Sequence, residues 1–209
     1  MKLNIKFFLF GGIVSIILTS CFRKKLVIYI DEVSQFYSNS IVEEYQKKYP
    51  EKHIEVYIYN SDFLFQAIKI GKKPDVLVSF DTSYSKKFGL QFPNKRLLNR
   101  DAMVLAVADS QIHSWNDILT KGKYLALPMQ NTSLQPFSLQ YLNYQKIANE
   151  QYFPVYPHDF KSMALYLERK MVSGGIMLKS QADYYKIRNL FPYFHQSFLH
   201  YVVELSPSD

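Results

Sequence analysis

The apolar residues of the 209-residue chain fall into two kinds of pattern. Short uninterrupted runs read as strands covered on both faces, because a half-wet strand would alternate. They are Leu26-Val27-Ile28-Tyr29-Ile30, Val76-Leu77-Val78, residues 102–108 and Tyr124-Leu125-Ala126-Leu127. His53–Tyr59 does alternate, with Ile54, Val56 and Ile58 on one side, and predicts a strand with one drier face. Spacing by four marks helices between these strands. Tyr37, Ile41 and Tyr45, widened by Val42 and Tyr49, stripe a helix over residues 35–48, with Ser34 as N-cap and Pro50 as its stop. A second helix, residues 63–70, starts from the capping group Asn60-Ser61-Asp62 and stops at Gly71. Strand, helix, strand, helix, strand thus follow in order up to Asp81, which predicts a right-handed βαβ series.

Residues 91–100 form a polar break carrying Pro93 and Asn94, and a second series follows it. Ser114 caps a short helix over 115–120, and Asn131-Thr132-Ser133 forms the turn after the next strand. A helix over 135–147 tolerates Pro136 in its first turn. Residues 153–157 read as extended. Asp159 opens a helix with Phe160, Met163, Ala164, Leu167 and Met171 on one face. Gly174-Gly175 ends that helix, Ile176-Met177-Leu178 is a short strand, Lys179-Ser180 opens a turn, and residues 201–205 make a last strand. Two α/β series with a final strand crossing back imply a two-lobed protein. Lobe 1 takes residues 21–103 and 200–209, lobe 2 takes 104–199, and a ligand would lie in the cleft between them.

The first residues bear on location. Lys2 and Lys6 precede an apolar run over residues 7–19, long enough for a signal-peptide core and short for a membrane span. Leu18-Thr19-Ser20-Cys21 has the form of a lipobox, so residues 1–20 read as a lipoprotein signal peptide and Cys21 as the lipidated residue. That places the body of the protein outside the cytoplasm, anchored to a bacterial membrane. Loss of Lys2 and Lys6 lowers the formal charge from +7 to +5. The remaining lysines are scattered, and Arg23-Lys24-Lys25 sits beside the anchor, where it suits anionic headgroups better than nucleic acid. Cys21 is the only cysteine, so no internal disulfide is available.

Catalytic templates are absent from the sequence. His53, His113, His158, His195 and His200 lack metal-site spacing, and there is no Gly-x-Ser-x-Gly elbow or Gly-rich phosphate loop. What remains is hydroxyl and amide groups at helix starts: Ser34, Asn60-Ser61, Thr82-Ser83, Thr132-Ser133 and Ser180. Helix N-termini with neutral donors hold oxyanions without a formal cation. Each taken singly is an ordinary N-cap. Asp31, Glu32, Asp62 and Asp81 follow the strands of the first series; facing the cleft together they would suit a cation or metal instead.

These stretches resemble the bacterial extracellular solute-binding proteins of type II fold, above all the molybdate/tungstate-binding lipoproteins of ABC importers. Pro74-Asp75-Val76-Leu77-Val78-Ser79-Phe80-Asp81 is similar to that family's Pro/Ala-Asp-Val-Phe-x-Ser-Ala-Asp pattern. Asn60-Ser61-Asp62-Phe63-Leu64, with Gln66-Ala67-Ile68, resembles its Ser-Ser-x-Leu-x-x-Gln-Ile region, and Gly174-Gly175-Ile176-Met177 resembles its second-lobe strand. Leu178 stands where the family carries a ligand tyrosine, and the chain ends soon after the return strand, so the resemblance implies a shortened C-terminus. It further implies a lipid-anchored, non-enzymatic protein without cofactor, closing two lobes on a small oxyanion and delivering it to an ABC permease. The hydroxyl ligands it implies fall at or next to Ser34 and Ser61, with Thr132 or Ser133 from the second lobe; Asp62 and Asp81, which follow strands of the first series, complete the candidate ligand-binding set. Two alternatives stay open: a surface lipoprotein that keeps the fold for protein interaction, and a cation- or metal-binding relative.

Overall fold

Strand β1 (Lys25–Asp31) has helices on both its faces, which is why its sequence shows no alternation. The computed structural model describes residues 25–80, 82–92 and 94–205. Residues 1–20, expected to be a signal peptide, and the expected site residues Cys21 and Asp81 therefore lie outside the described residues. Within them the remaining strands are β2 (His53–Tyr59), β3 (Val76–Phe80), β4 (Arg96–Val107), β5 (Tyr124–Ala126), β6 (Phe153–Val155), β7 (Gly174–Leu178) and β8 (Arg188–Glu204). All join one sheet in the order β2-β1-β3-β8-β4-β7-β5-β6. The pairs at either end are parallel, and the central pairs β3–β8, β8–β4 and β4–β7 are antiparallel. The helices are α1 (Ser38–Lys48), α2 (Ser61–Lys69), α3 (Trp115–Lys121), α4 (Gln135–Tyr144), α5 (Phe160–Glu168) and α6 (Lys179–Tyr184).

Alternate strand residues feed two cores in the first half. Leu26, Ile28, Ile30, Val76, Val78 and Val202 pack under Ile41 and Tyr45 of α1. Tyr29, Leu77 and Val203 face the other way, against Leu64, Phe65 and Ala67 of α2. The second half has one larger core around Met103 to Val107, Tyr141, Met163 and Ile176 to Leu178. Gly174 serves that core: a Cβ there would stand 2.6 Å from Ile118 Cδ1 and 2.9 Å from Leu105 Cδ1.

Several boundaries differ from the patterns above. The expected helix over 35–48 divides into a 3-10 turn, Glu32–Tyr37, followed by α1. Asp31, not Ser34, caps that turn by accepting from Val33 N–H. On β2 the expected dry face is only half-buried at Ile54 and Val56, and Ile58 is exposed, because β2 is the sheet edge. Lys179-Ser180 opens the short helix α6 rather than a turn alone. β4 starts inside the polar break, and β8 is 17 residues long where only its end was expected. Strands β4 and β8 run side by side with several register shifts; β8 also pairs with β3, and β4 with β7, so this pair joins the two halves.

Candidate ligand-binding site

The carboxyl end of β1 delivers Asp31 into the junction between the halves, where it is fully buried. Its Oδ1 accepts from Val33 N–H at 3.2 Å and Ser61 Oγ at 2.9 Å, and its Oδ2 accepts from Ser133 Oγ at 3.2 Å. Ser133 N–H also donates to Ser61 Oγ at 2.8 Å. Ser61 is in this position because Asn60 caps α2, accepting from Phe63 N–H. Ser133 lies in the turn before α4. Neutral donors from both halves therefore converge on one two-oxygen anion, and that anion is the protein's own side chain. Burial lifts the Asp31 carboxyl from 3.8 to about 6, opposed by its bonds to Val33, Ser61, Ser133 and Phe80.

Ser34, equally buried, is turned to a different partner. Its Oγ lies 2.8 Å from His200 Nδ1, and His200 Nε2 lies 3.3 Å from Asp101 Oδ2. Asp101 also accepts from the Ser180 hydroxyl, from Ser180 N–H at 3.3 Å and from Ala102 N–H at 2.7 Å. Burial holds His200 below its usual value, while the His200 and Ser180 hydrogen bonds outweigh burial and keep Asp101 low. Neutral imidazole beside carboxylate assigns the proton to Nε2, so Ser34 donates to Nδ1. The order Ser–His–Asp is that of a nucleophile relay, but Ser34 and His200 are wholly enclosed and no carbonyl substrate can reach the hydroxyl. It works as a brace from the first turn, through β8 and β4, to α6.

Other expected site residues are occupied elsewhere. Thr132 Oγ1 donates to Met129 O at 2.8 Å and steadies its own turn. The Asp62 carboxylate accepts from Tyr84 OH at 2.6 Å and pairs with Lys87 at 3.0 Å, while Asp62 N–H donates to Asn131 O at 3.2 Å. Glu32 sits at the mouth with Thr132, Pro157, His158, Asp159 and Phe160, around a cavity of only about 10 Å³. Burial, then Asp31 and Asp159, raise the Glu32 carboxyl to about 7. Among the described residues no three His, Cys, Asp or Glu side chains gather as metal ligands. His200, Asp101 and the acceptor role of Asp31 escaped sequence reasoning. A histidine in an apolar strand and an aspartate after one carry no spacing signal for partners so distant in sequence.

No known family profile and no curated protein matches the chain. Solved structures do. The substrate-binding domain described for a molybdenum ABC transporter from Clostridium difficile is 18% identical, with 87% of this chain and 85% of that one covered at a TM-score of 0.63. The chain has the type II periplasmic-binding fold. The periplasmic molybdate-binding protein of Azotobacter vinelandii is 13% identical over 88% and 86% of the two chains, with a TM-score of 0.68. A binding-protein component of a phosphonate ABC transporter from Pseudomonas aeruginosa is 12% identical over 90% and 71%, with a TM-score of 0.67. Arginine-binding and regulatory domains share the fold as well, so the fold by itself names no ligand.

Proposed function

We propose that this chain is a non-enzymatic, extracytoplasmic solute-binding protein, anchored through a lipidated Cys21, that carries a small oxyanion to an ABC permease. One observation carries the reading: donors from the turn after β1, the start of α2 and the turn before α4 meet on a single buried anion. Hydroxyl and backbone N–H groups of this kind suit a molybdate- or tungstate-like ion, which needs many short neutral contacts and no counter-charge. Lobe 1 (21–103 and 200–209) would close on lobe 2 (104–199) about the β4–β8 pair, the ligand favouring the closed state. Ser61 and Ser133 would contribute donors, and Ser34 and Thr132 would do so only on leaving His200 and Met129 O, with Asp62 and Asp81 at the edges. The test is a thermal-shift series of the wild-type chain with molybdate, tungstate, sulfate, phosphate and divalent cations. A rise with oxyanions alone supports the reading. A rise with metals alone transfers the site to the carboxylates.

A second reading, a surface lipoprotein that keeps the fold for a protein partner, is favoured by the state of the same cradle. Asp31 already fills it, and the cavity beside it holds about 10 Å³. An external anion 4 Å from ionised Asp31 meets repulsion of about 4 kcal/mol per unit charge, more than a hydrogen bond to it returns. Silence of the wild-type chain across the whole series favours this second reading.

A further inference from the structure

The donors that the cradle could offer an anion are already spent on Asp31. Val33 N–H, Ser61 Oγ and Ser133 Oγ all end on its carboxylate, and Ser133 N–H orders Ser61 from behind. Ser61 shares its proton between both oxygens, at 2.9 and 3.1 Å. The two serines come from opposite halves of the sheet, so the carboxylate ties the halves together as a bound anion would. Further bridges cross the same junction. Gln181 Nε2 donates to Val33 O at 3.4 Å, Gln35 Nε2 to Tyr185 OH at 3.1 Å, and Asp62 N–H to Asn131 O.

We propose that Asp31 is a resident, covalently tethered oxyanion, and that its carboxylate is the residue that decides whether the cradle admits an external anion. The inference rests on reading the cradle as an anion site, and it adds which anion normally occupies it and what keeps others out. Two negative groups cannot share donors that satisfy one, and Asp31 is fully buried on them, so an external anion is held only after the halves part and Asp31 leaves the donors. The wild-type chain is therefore closed without solute. Removing the carboxylate converts the cradle into a site for a free, carboxylate-sized oxyanion, with Val33 N–H, Ser61 and Ser133 as its ligands.

Chemical rescue tests this on the full-length chain. Asp31→Ala deletes the carboxylate, and formate matches what was removed; Asp31→Asn keeps the shape without the charge. Melting is followed against sodium formate, with sodium chloride at equal ionic strength as the control. The expected result is a saturable rise in the Tm of Asp31→Ala of about 3–6 °C at formate tenfold above its Kd. Wild type and Asp31→Asn should not respond. An equal response from all three chains, or none from Asp31→Ala, overturns the proposal. If Asp31→Ala folds only when refolded in formate, the proposal is upheld; if it folds in no buffer, Ser133→Ala decides. Loss of that donor must raise the pH at which the Asp31 carboxyl carbon titrates by NMR, and an unchanged midpoint overturns the proposal. Molybdate and sulfate, run on the same chains, separate the two claims. Their failure on both wild type and Asp31→Ala removes the transport reading and leaves the formate result standing. A rise that is the same in wild type and Asp31→Ala keeps oxyanion binding and removes Asp31 as its gatekeeper.

Discussion

Burial lifts the Asp31 carboxyl from 3.8 to about 6 although Val33, Ser61 and Ser133 all favour its charged form. The folded chain therefore holds this proton more tightly than the unfolded chain, and ionising Asp31 works against folding. The penalty is fully present above about pH 6 and gone below about pH 4, amounting to roughly 3 kcal/mol. Glu32, raised to about 7 by burial and by Asp31 and Asp159, titrates just above that window, so Glu32→Gln is the suitable background. In it, the stability of Asp31 chains relative to Asp31→Asn chains should grow as pH falls from 6 to 4 in urea denaturation; a constant gap removes the assigned burial effect. Ser61 and Ser133 could be singled out from sequence because polar turns after strands show in the pattern. The acceptor they share could not, since an aspartate after a strand reads as an ordinary cap, and Asp31 does also cap Val33. A separate residue effect concerns the helix ends. Lys146, Lys170 and Lys186 have φ of 60°, 55° and 56°, and the residue after each donates five residues back, to Leu142, Tyr166 and Ala182. Gly71, at φ 97°, ends α2 in the same way, with Lys72 donating to Ala67. A lysine is strained in this left-handed position, where glycine is not. Lys146→Gly should therefore stabilise by about 1 kcal/mol, read as a higher urea midpoint with unchanged m-value.

At the level of elements, the strands with covered faces were legible and the bare ones were not. β1 and β3 lie between two layers of helix, so each shows an uninterrupted apolar run. The first residues of β4, Arg96 to Arg100, are mostly exposed, so they keep no apolar pattern and read as a polar break. β8 holds Pro192 next to Phe191 at φ 51°, both of which argue against a strand in sequence. Yet β4 and β8 carry Asp101 and His200, the middle of the brace that links Ser34 to Ser180. Asp101→Ala leaves the buried His200 Nε2–H and the half-buried Ser180 donors without that acceptor. It should cost about 3 kcal/mol, measurable by urea unfolding, whereas a loss below about 0.5 kcal/mol would show that the brace is idle. His200 acts in the opposite sense to Asp31 with pH. Its depressed value means that stability is lost as pH falls below the ordinary histidine value of 6.5, a loss that His200→Gln should not show.

For the whole molecule, the two α/β series and the return strand were readable from periodicity, since each strand–helix unit is a local pattern. Their meeting point was not, because it depends on side chains far apart in sequence, with Asp31 and Ser133 102 positions apart. Low identity to the solved structures fits the same division: the fold survives wherever apolar spacing does, while the ligand depends on a few side chains at the junction. Here those side chains already enclose an anion of the protein's own. The most direct test is a crystal structure of Asp31→Ala grown with formate. Formate bound between Val33 N–H, Ser61 Oγ and Ser133 Oγ, with the halves still together, is the expected result. An empty junction, with either serine turned to other partners, would contradict it.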